Sequence, residues 1–339
     1  MRVLFSILLV VIALHSATSQ STEGTNKSIG LEIFQGFIYE HKPQISHLIT
    51  GHPTGFRIVY NRKTYGDRVW QQRYNFPDRG LTFIYMNYQD DRLGKTLALV
   101  PHFNFYLRGK REAKSQFQFK MGFGAGYTTE KFDPVTNNQN NVISTDLTGA
   151  VLFQFGHDYA LSERLSLTSS LSITHFSNGA IKQPNSGINI MAANIGLNYT
   201  FDYSKREFQY REEEHLTTKP IGYSVILIGG AHESLKIGAG AKPFFVITGI
   251  VDKKLNHKSR LGAGLEWFHS RSLREEVEFA DEVDPGTDFN RVGFVLSHEL
   301  MLNEFSVMAQ AGVYIYDPYS AFQPFYIRLK LRRYFGEHL

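Results

Sequence analysis

A histidine and a serine two residues apart, His175 and Ser177, end the segment RLSLTSSLSITHFS (164–177). In it Leu165, Leu167, Ser169, Leu171 and Ile173 alternate with Arg164, Ser166, Thr168, Ser170, Ser172 and Thr174. Such alternation marks a β-strand with one apolar and one polar face. His175 and Ser177 continue the apolar series, so they are neighbours on that face. The next segment behaves alike: Met191, Ala193, Ile195, Leu197, Tyr199 and Phe201 share one face, and Asn189 has their parity. A Ser, a His and an Asn from adjacent strands therefore converge on an apolar wall. Serine becomes nucleophilic when a base takes its proton, and a histidine base needs a third group to fix its tautomer. Ser177, His175 and Asn189 have the chemistry for those roles. Asn is the weaker third member, because its carbonyl accepts Nδ1–H without offsetting the imidazolium charge. The alternative is three polar residues at the water interface of an apolar surface.

The elements that must position these residues are strands throughout. The alternation recurs in Phe117-Phe119-Met121-Phe123, in Leu97-Leu99-Pro101-Phe103, in Leu261-Ala263-Leu265-Trp267 and in Ile327-Leu329-Leu331. About fourteen such segments can be counted, most of them about 9 to 14 residues long, and no amphipathic helix is expected. Globular strands average about 5–6 residues, whereas tilted membrane-spanning strands need about 9–11. The expected fold is therefore all-β, a transmembrane antiparallel β-barrel with an outward apolar face and a polar lumen. Connections 108–114, 157–163, 252–257 and 302–304 are short, whereas 40–53, 128–142, 176–187 and 270–288 are long. That asymmetry matches short periplasmic turns and long outer loops.

Two connections break the rule, 63–79 and the charged stretch DYSKREFQYREEEHLTTKP at 202–220. The second leaves two arrangements open: one barrel of about 14 strands, or an eight-strand unit followed by a C-terminal β unit. The expected organisation is a signal peptide (1–19), a barrel region (29–203), a polar connection (204–219) and a C-terminal strand region (220–339).

Composition narrows the class. The 339 residues include 27 Phe and 18 Tyr, as half-buried strands require. Lys and Arg number 36 against 32 Asp and Glu, a net +4 that is too even for a nucleic-acid-binding domain. Without cysteine there is no disulfide framework, thiolate metal site, cysteine nucleophile or lipoprotein anchor. The opening MRVLFSILLVVIALHSATSQ reads as a signal peptide: Arg2, an apolar run, then Ala17-Thr18-Ser19. Export to the bacterial outer membrane is expected. The last strand, YIRLKLRRYF, is followed by GEHL as though a turn were beginning, which leaves a missing final hairpin open.

The run HFSNGAIKQPNSGIN (175–189) resembles the active-site segment of the PagL-type lipid A 3-O-deacylases, also called acyloxyacyl-hydrolase-like proteins. The resemblance is strongest from His175 to Phe201 and extends more weakly to GHPTGFRIVYN, the Trp70 region and NFPDRGL. It implies an outer-membrane barrel whose site opens to lipid, with His175 as general base and Ser177 as nucleophile. It further implies Asn178 as the family's Asn after the serine and Asn185 as an oxyanion donor, helped by backbone N–H groups near Gly179 and Ala180. The family's acidic third member, a Glu fourteen residues after the histidine, falls on Asn189, a departure from the pattern. Glu163 lies twelve strand residues away, about 40 Å, and cannot replace it. Known members are near eight strands, so residues 204–339 lie outside the best-understood part of the resemblance.

The implied reaction is hydrolysis of an ester-linked hydroxyacyl chain of lipid A, with Ile173, Met191 and Phe176 beside the acyl chain. No metal or cofactor is needed. The expected partners are lipid A or lipopolysaccharide as substrate and outer-membrane lipids, with a homodimer left open and no nucleic acid. The rival reading is an inactive barrel that binds or transports lipids or small solutes, in which Arg328, Lys330 and Arg332 would line the lumen. Ser297-His298-Glu299 has tempting residue types, but alternation puts His298 opposite the other two.

Overall fold

The computed structural model describes residues 26–107, 109–210, 221–279, 286–302, 304–319 and 323–335. The expected signal peptide (1–19), much of the polar connection (from 211) and the terminal GEHL lie outside the described residues. The first eight strands are β1 (Lys27–Ile38), β2 (Thr54–Arg62), β3 (Asp78–Asn87), β4 (Lys95–Tyr106), β5 (Ser115–Thr128), β6 (Leu147–Ala160), β7 (Leu165–Ser177) and β8 (Ile188–Thr200). They close into a barrel, with β8 paired to β1. Six more follow: β9 (Ile221–His232), β10 (Lys242–Asn256), β11 (Ser259–Ser270), β12 (Arg291–Leu302), β13 (Phe305–Tyr316) and β14 (Phe325–Arg333). They form a separate six-stranded sheet in sequence order. Of the two arrangements left open by the sequence, the molecule has the eight-strand unit followed by a C-terminal β unit.

Alternation turns inside out relative to a soluble barrel. Ile33 and Leu171 on the outer face are 60% and 67% exposed, while inward Glu32, Arg57, Lys120 and Gln154 are buried. A continuous apolar outer wall is what lipid stabilises. No helix among the described residues is long and apolar enough to cross a membrane.

The barrel is not an open pore. At mid-height the fully buried Arg57 donates to Asn194 (2.7 Å), Ser172 (2.9 Å), Gln154 (3.2 Å) and Thr174 (3.3 Å). Glu32 sits 3.9 Å from it and 3.6 Å from Lys120 Nζ. Without Arg57 its four buried acceptors lose this donor, and Glu32 keeps Lys120 as its one cation among the described residues. Arg57→Met is therefore expected to destabilise the barrel by about 3–5 kcal/mol. Urea-unfolding midpoints of the two proteins check this, and an unchanged midpoint would contradict it.

Towards the long-loop end the interior turns apolar. Phe34, Ile84, Leu152, Phe176 and Ile188 pack with Ile45, Leu48, Leu93, Val142 and Ile143 from the loops. This core stops the mouth and stands directly behind the wall that carries His175 and Ser177. The other end holds a cavity of about 850 Å³ lined by polar groups including Asp78, Arg111, Lys120 and Asp158.

Hairpin turns such as 257–258 are tight, while 178–187 and 129–146 are long, in keeping with the expected asymmetry. Among the described residues two short α-helices, besides a 3₁₀ helix at Pro43–Leu48, depart from the expectation of none. α1 (Val69–Arg73) buries Trp70 edge-on to Phe103, 6.0 Å between ring centroids. α2 (Arg271–Phe279) buries Leu273 and exposes Arg271 and Arg274. Both occupy long connections, where a turn or two of helix satisfies backbone groups that no strand can pair.

The six-stranded sheet keeps the same rule. Phe245, Leu265, Leu296 and Ile315 are exposed, whereas Thr248, Glu266, Glu299 and Gln310 are buried on the other face. Arg328 reaches Glu266 (2.7 Å) and Arg332 reaches Glu299 (3.1 Å), so these cations neutralise buried carboxylates. His298 faces away from Ser297 and Glu299 and bonds Ser259 Oγ through Nε2 (2.7 Å). The two units touch at both ends, through Tyr74 OH to the Met301 carbonyl (2.8 Å) and the Glu233 N–H to the Ala180 carbonyl (2.8 Å).

Candidate active site on the outer wall

Strand register builds the site. In the β7–β8 pair His175 lies opposite Asn189. Their side chains meet, His175 Nδ1 to Asn189 Oδ1, at 2.8 Å. An amide oxygen only accepts, so Nδ1 carries the proton and Nε2 keeps its lone pair. That is the tautomer a general base needs.

Ser177 ends β7 opposite Gly149 of β6. Its Oγ accepts the Gly179 N–H (3.1 Å) and Asn185 Nδ2 (2.9 Å). The orientation of the Asn185 amide is fixed independently. The Asn178 N–H donates to Asn185 Oδ1 (3.1 Å), and a backbone N–H can only pair with the oxygen. The NH₂ group is therefore turned to Ser177. Two donors thus converge on the serine oxygen. His175 and Ser177 share the outward face, yet each is hydrogen-bonded to other partners rather than to the other.

The 178–187 loop achieves this by folding sharply. Gly179 and Ala180 both have left-handed backbones (φ 66° and 60°), an uncommon conformation for the alanine. Gly187, at φ 70°, is needed for space as well: a Cβ there would lie 2.9 Å from His175 Cε1. Asn178 Nδ2 bonds Ser144 Oγ and the Lys182 carbonyl, both at 2.9 Å. Ser186 and Gly187 donate backbone N–H groups to the Asn141 and Val142 carbonyls, each at 3.1 Å.

Of the loop residues singled out from sequence, Asn185 and Gly179 reach Ser177 directly, and Asn178 acts on Asn185. Ala180 turns its carbonyl to Glu233. Phe176 requires a correction. It is fully buried and points inward with the even-numbered series, so it backs the site and cannot lie beside a chain on the outer wall. The outward neighbours are Val151 and Ile173 with Phe153 and Met191, from β6, β7 and β8. Two residues escaped the sequence reading: His41, whose Nε2 meets the Ser186 carbonyl at 3.0 Å, and Glu233. Both come from distant segments with no periodic signal of their own. Among the described residues no group of three or more His, Cys, Asp or Glu is placed to hold a metal ion.

Comparison with known proteins gives the following. The family model "Lipid A 3-O-deacylase (PagL)" matches residues 54–198, and the model "Acyloxyacyl hydrolase, C-terminal domain" matches residues 221–339. None of the curated proteins matches by sequence. Among solved structures, the chain is similar to Neisserial surface protein A at 8% identity, over 52% of this chain and 99% of that one, with a TM-score of 0.37. It is similar to the outer membrane enzyme PagL at 16% identity, over 49% and 97%, with a TM-score of 0.35. For the N-terminal β-barrel domain of Pseudomonas aeruginosa OprF the values are 14%, 52%, 100% and 0.29. The first family model takes in β2 to β8 with the His–Ser strand, and the second takes in the whole six-stranded sheet. The chain belongs to the PagL-type lipid A 3-O-deacylase family.

Proposed function

We propose that this protein is an outer-membrane serine esterase that hydrolyses an ester-linked hydroxyacyl chain of lipid A, a carboxylic ester hydrolase needing no metal or cofactor. The observation that carries the reading is a serine on the apolar outer wall whose Oγ already meets two oriented donors, beside a histidine held in the basic tautomer. The N-terminal signal peptide read from the sequence would send the chain across the inner membrane. Lipid A in the outer leaflet would then lie against the wall, with its acyl chain over Val151, Phe153, Ile173 and Met191.

The substrate carbonyl displaces the serine hydroxyl from the two donors and takes them as its oxyanion hole. Ser177 Oγ, released from Asn185 and Gly179, turns to His175 Nε2. Its proton passes to Nε2 as Oγ attacks the carbonyl carbon. The tetrahedral intermediate collapses, the sugar oxygen leaves with the proton from Nε2, and an acyl-Ser177 ester remains. Water, deprotonated by the same nitrogen, attacks that ester and frees the hydroxy acid, returning the proton to Ser177.

Asn189 supplies orientation without charge. Asn189→Glu restores a carboxylate to face Nδ1–H and is expected to raise kcat by at least about tenfold, since the opposite exchange costs about 10⁴ in a Ser-His-Asp enzyme. Release of hydroxy acid from lipid A vesicles measures it. An unchanged rate in the folded variant would mean that orientation is all the third position provides.

The esterase reading itself is tested with an alkyl fluorophosphonate, which esterifies a serine activated by a base. Labelling confined to Ser177 and suppressed by prior addition of lipid A is the expected result. A folded protein that takes up no label would shift the reading to a barrel that only binds or transports lipid.

A further inference from the structure

We propose that Glu233, the residue following β9, is a positioning residue for the catalytic loop, so that the C-terminal sheet sets the geometry of a site carried by the barrel. The inference rests on the reading of Ser177 as nucleophile.

Glu233 is 4% exposed, and a buried carboxylate must find donors for its oxygens. It finds two backbone N–H groups from different units. Oε2 accepts the Gln183 N–H (2.5 Å) in the 178–187 loop of the barrel, and Oε1 accepts the Gly240 N–H (2.7 Å) in the loop between β9 and β10. The Glu233 N–H itself donates to the Ala180 carbonyl (2.8 Å). One residue therefore grips the tip of the catalytic loop at both 180 and 183.

The grip is passed on to the chemistry. Gln183 Oε1 accepts the Asn185 N–H (2.9 Å), and Asn185 Nδ2 reaches Ser177 Oγ (2.9 Å). The barrel anchors the flanks of the loop, at Asn178, Ser186 and Gly187, and one point near its tip, the Lys182 carbonyl, which accepts Ser144 Oγ (2.7 Å). On either side of Lys182, Gln183 and the left-handed Ala180 are held by Glu233. A carboxylate suits the place because both facing groups are donors. Glutamine offers one oxygen and one NH₂, which would confront an N–H. The acyl-binding wall makes no use of Glu233, so its loss should disturb the oxyanion donors while leaving substrate binding intact.

The test uses the full chain in detergent micelles containing lipid A, with two readouts: steady-state release of hydroxy acid and amide hydrogen exchange of residues 178–187. Glu233→Gln is expected to lower kcat about 10- to 100-fold with KM little changed, the scale of a displaced catalytic group. It is also expected to speed exchange at 180–185 while β5–β8 stay protected. Wild-type kcat with wild-type exchange overturns the proposal, as does a loss expressed in KM alone. If the wild-type protein releases no acid, the esterase reading falls, and loop exchange alone judges the grip: unchanged protection in Glu233→Gln overturns it. If Glu233→Gln unfolds the sheet, seen as lost protection in β10–β12, Glu233→Asp decides. It keeps the charge on a shorter side chain and is expected to lower kcat with β10–β12 protected; wild-type kcat in that variant overturns the proposal.

Discussion

Ser177→Ala and His175→Ala are each expected to lower kcat for hydroxy-acid release by about 10⁴- to 10⁶-fold, and the double variant by no more than either alone. In the proposed mechanism the nucleophile and its base act as one unit: without the base the hydroxyl stays protonated, and without the hydroxyl the base has nothing to activate. What survives in all three variants is the oxyanion hole and the apolar wall. Neither substitution should harm the barrel. His175 and Ser177 stand half-buried on its outside, and the β7 ladder to β6 and β8 runs through the backbone. Rates measured beside the heat-dependent gel mobility of each folded barrel check this. Losses that multiplied in the double variant would mean that the two residues work independently.

Asn185→Ala carries the second large effect, a fall in kcat of about 10²- to 10³-fold. Its Nδ2 is one of two donors on Ser177 Oγ, the Gly179 N–H being the other. A donor preset by the Asn178 N–H needs no reorganisation as charge develops, so its removal is felt in the transition state more than in binding. KM should therefore change little. Asn185→Asp should be at least as slow as the alanine variant, because a carboxylate has no N–H to give and repels the oxyanion. An aspartate variant with near-normal kcat would remove Asn185 from the hole.

Much of this was legible in residue order because strands of period two declare their faces. The outward parity of His175, Ser177 and Asn189 follows from β7 and β8 alone, and the register His175 to Asn189 then pairs them. Closure at eight strands was not legible. The β1–β8 seam joins Leu31 to Leu197 and Ile33 to Ile195, apolar pairs of the same kind as any other neighbours. Parity assigns faces but does not choose which strand ends a barrel. Phe176 shows a second limit. Its even-numbered parity is inward, but the interior changes from polar at Thr174 to apolar at Phe176, because the loops bring Ile45, Leu48 and Val142 over the mouth. The Asn189 departure is visible in sequence, yet the 2.8 Å contact to Nδ1 needs the register. Glu233 lies fifty residues after Gln183, and only the packing of the two units joins them.

The most direct test of the account is mass spectrometry of lipid A after incubation with the purified wild-type protein and with Ser177→Ala. The account predicts that wild type removes the mass of one hydroxyacyl chain while the variant leaves lipid A intact. Loss of the same chain with the Ser177→Ala protein, or an unchanged lipid A with well-folded wild type, would contradict it.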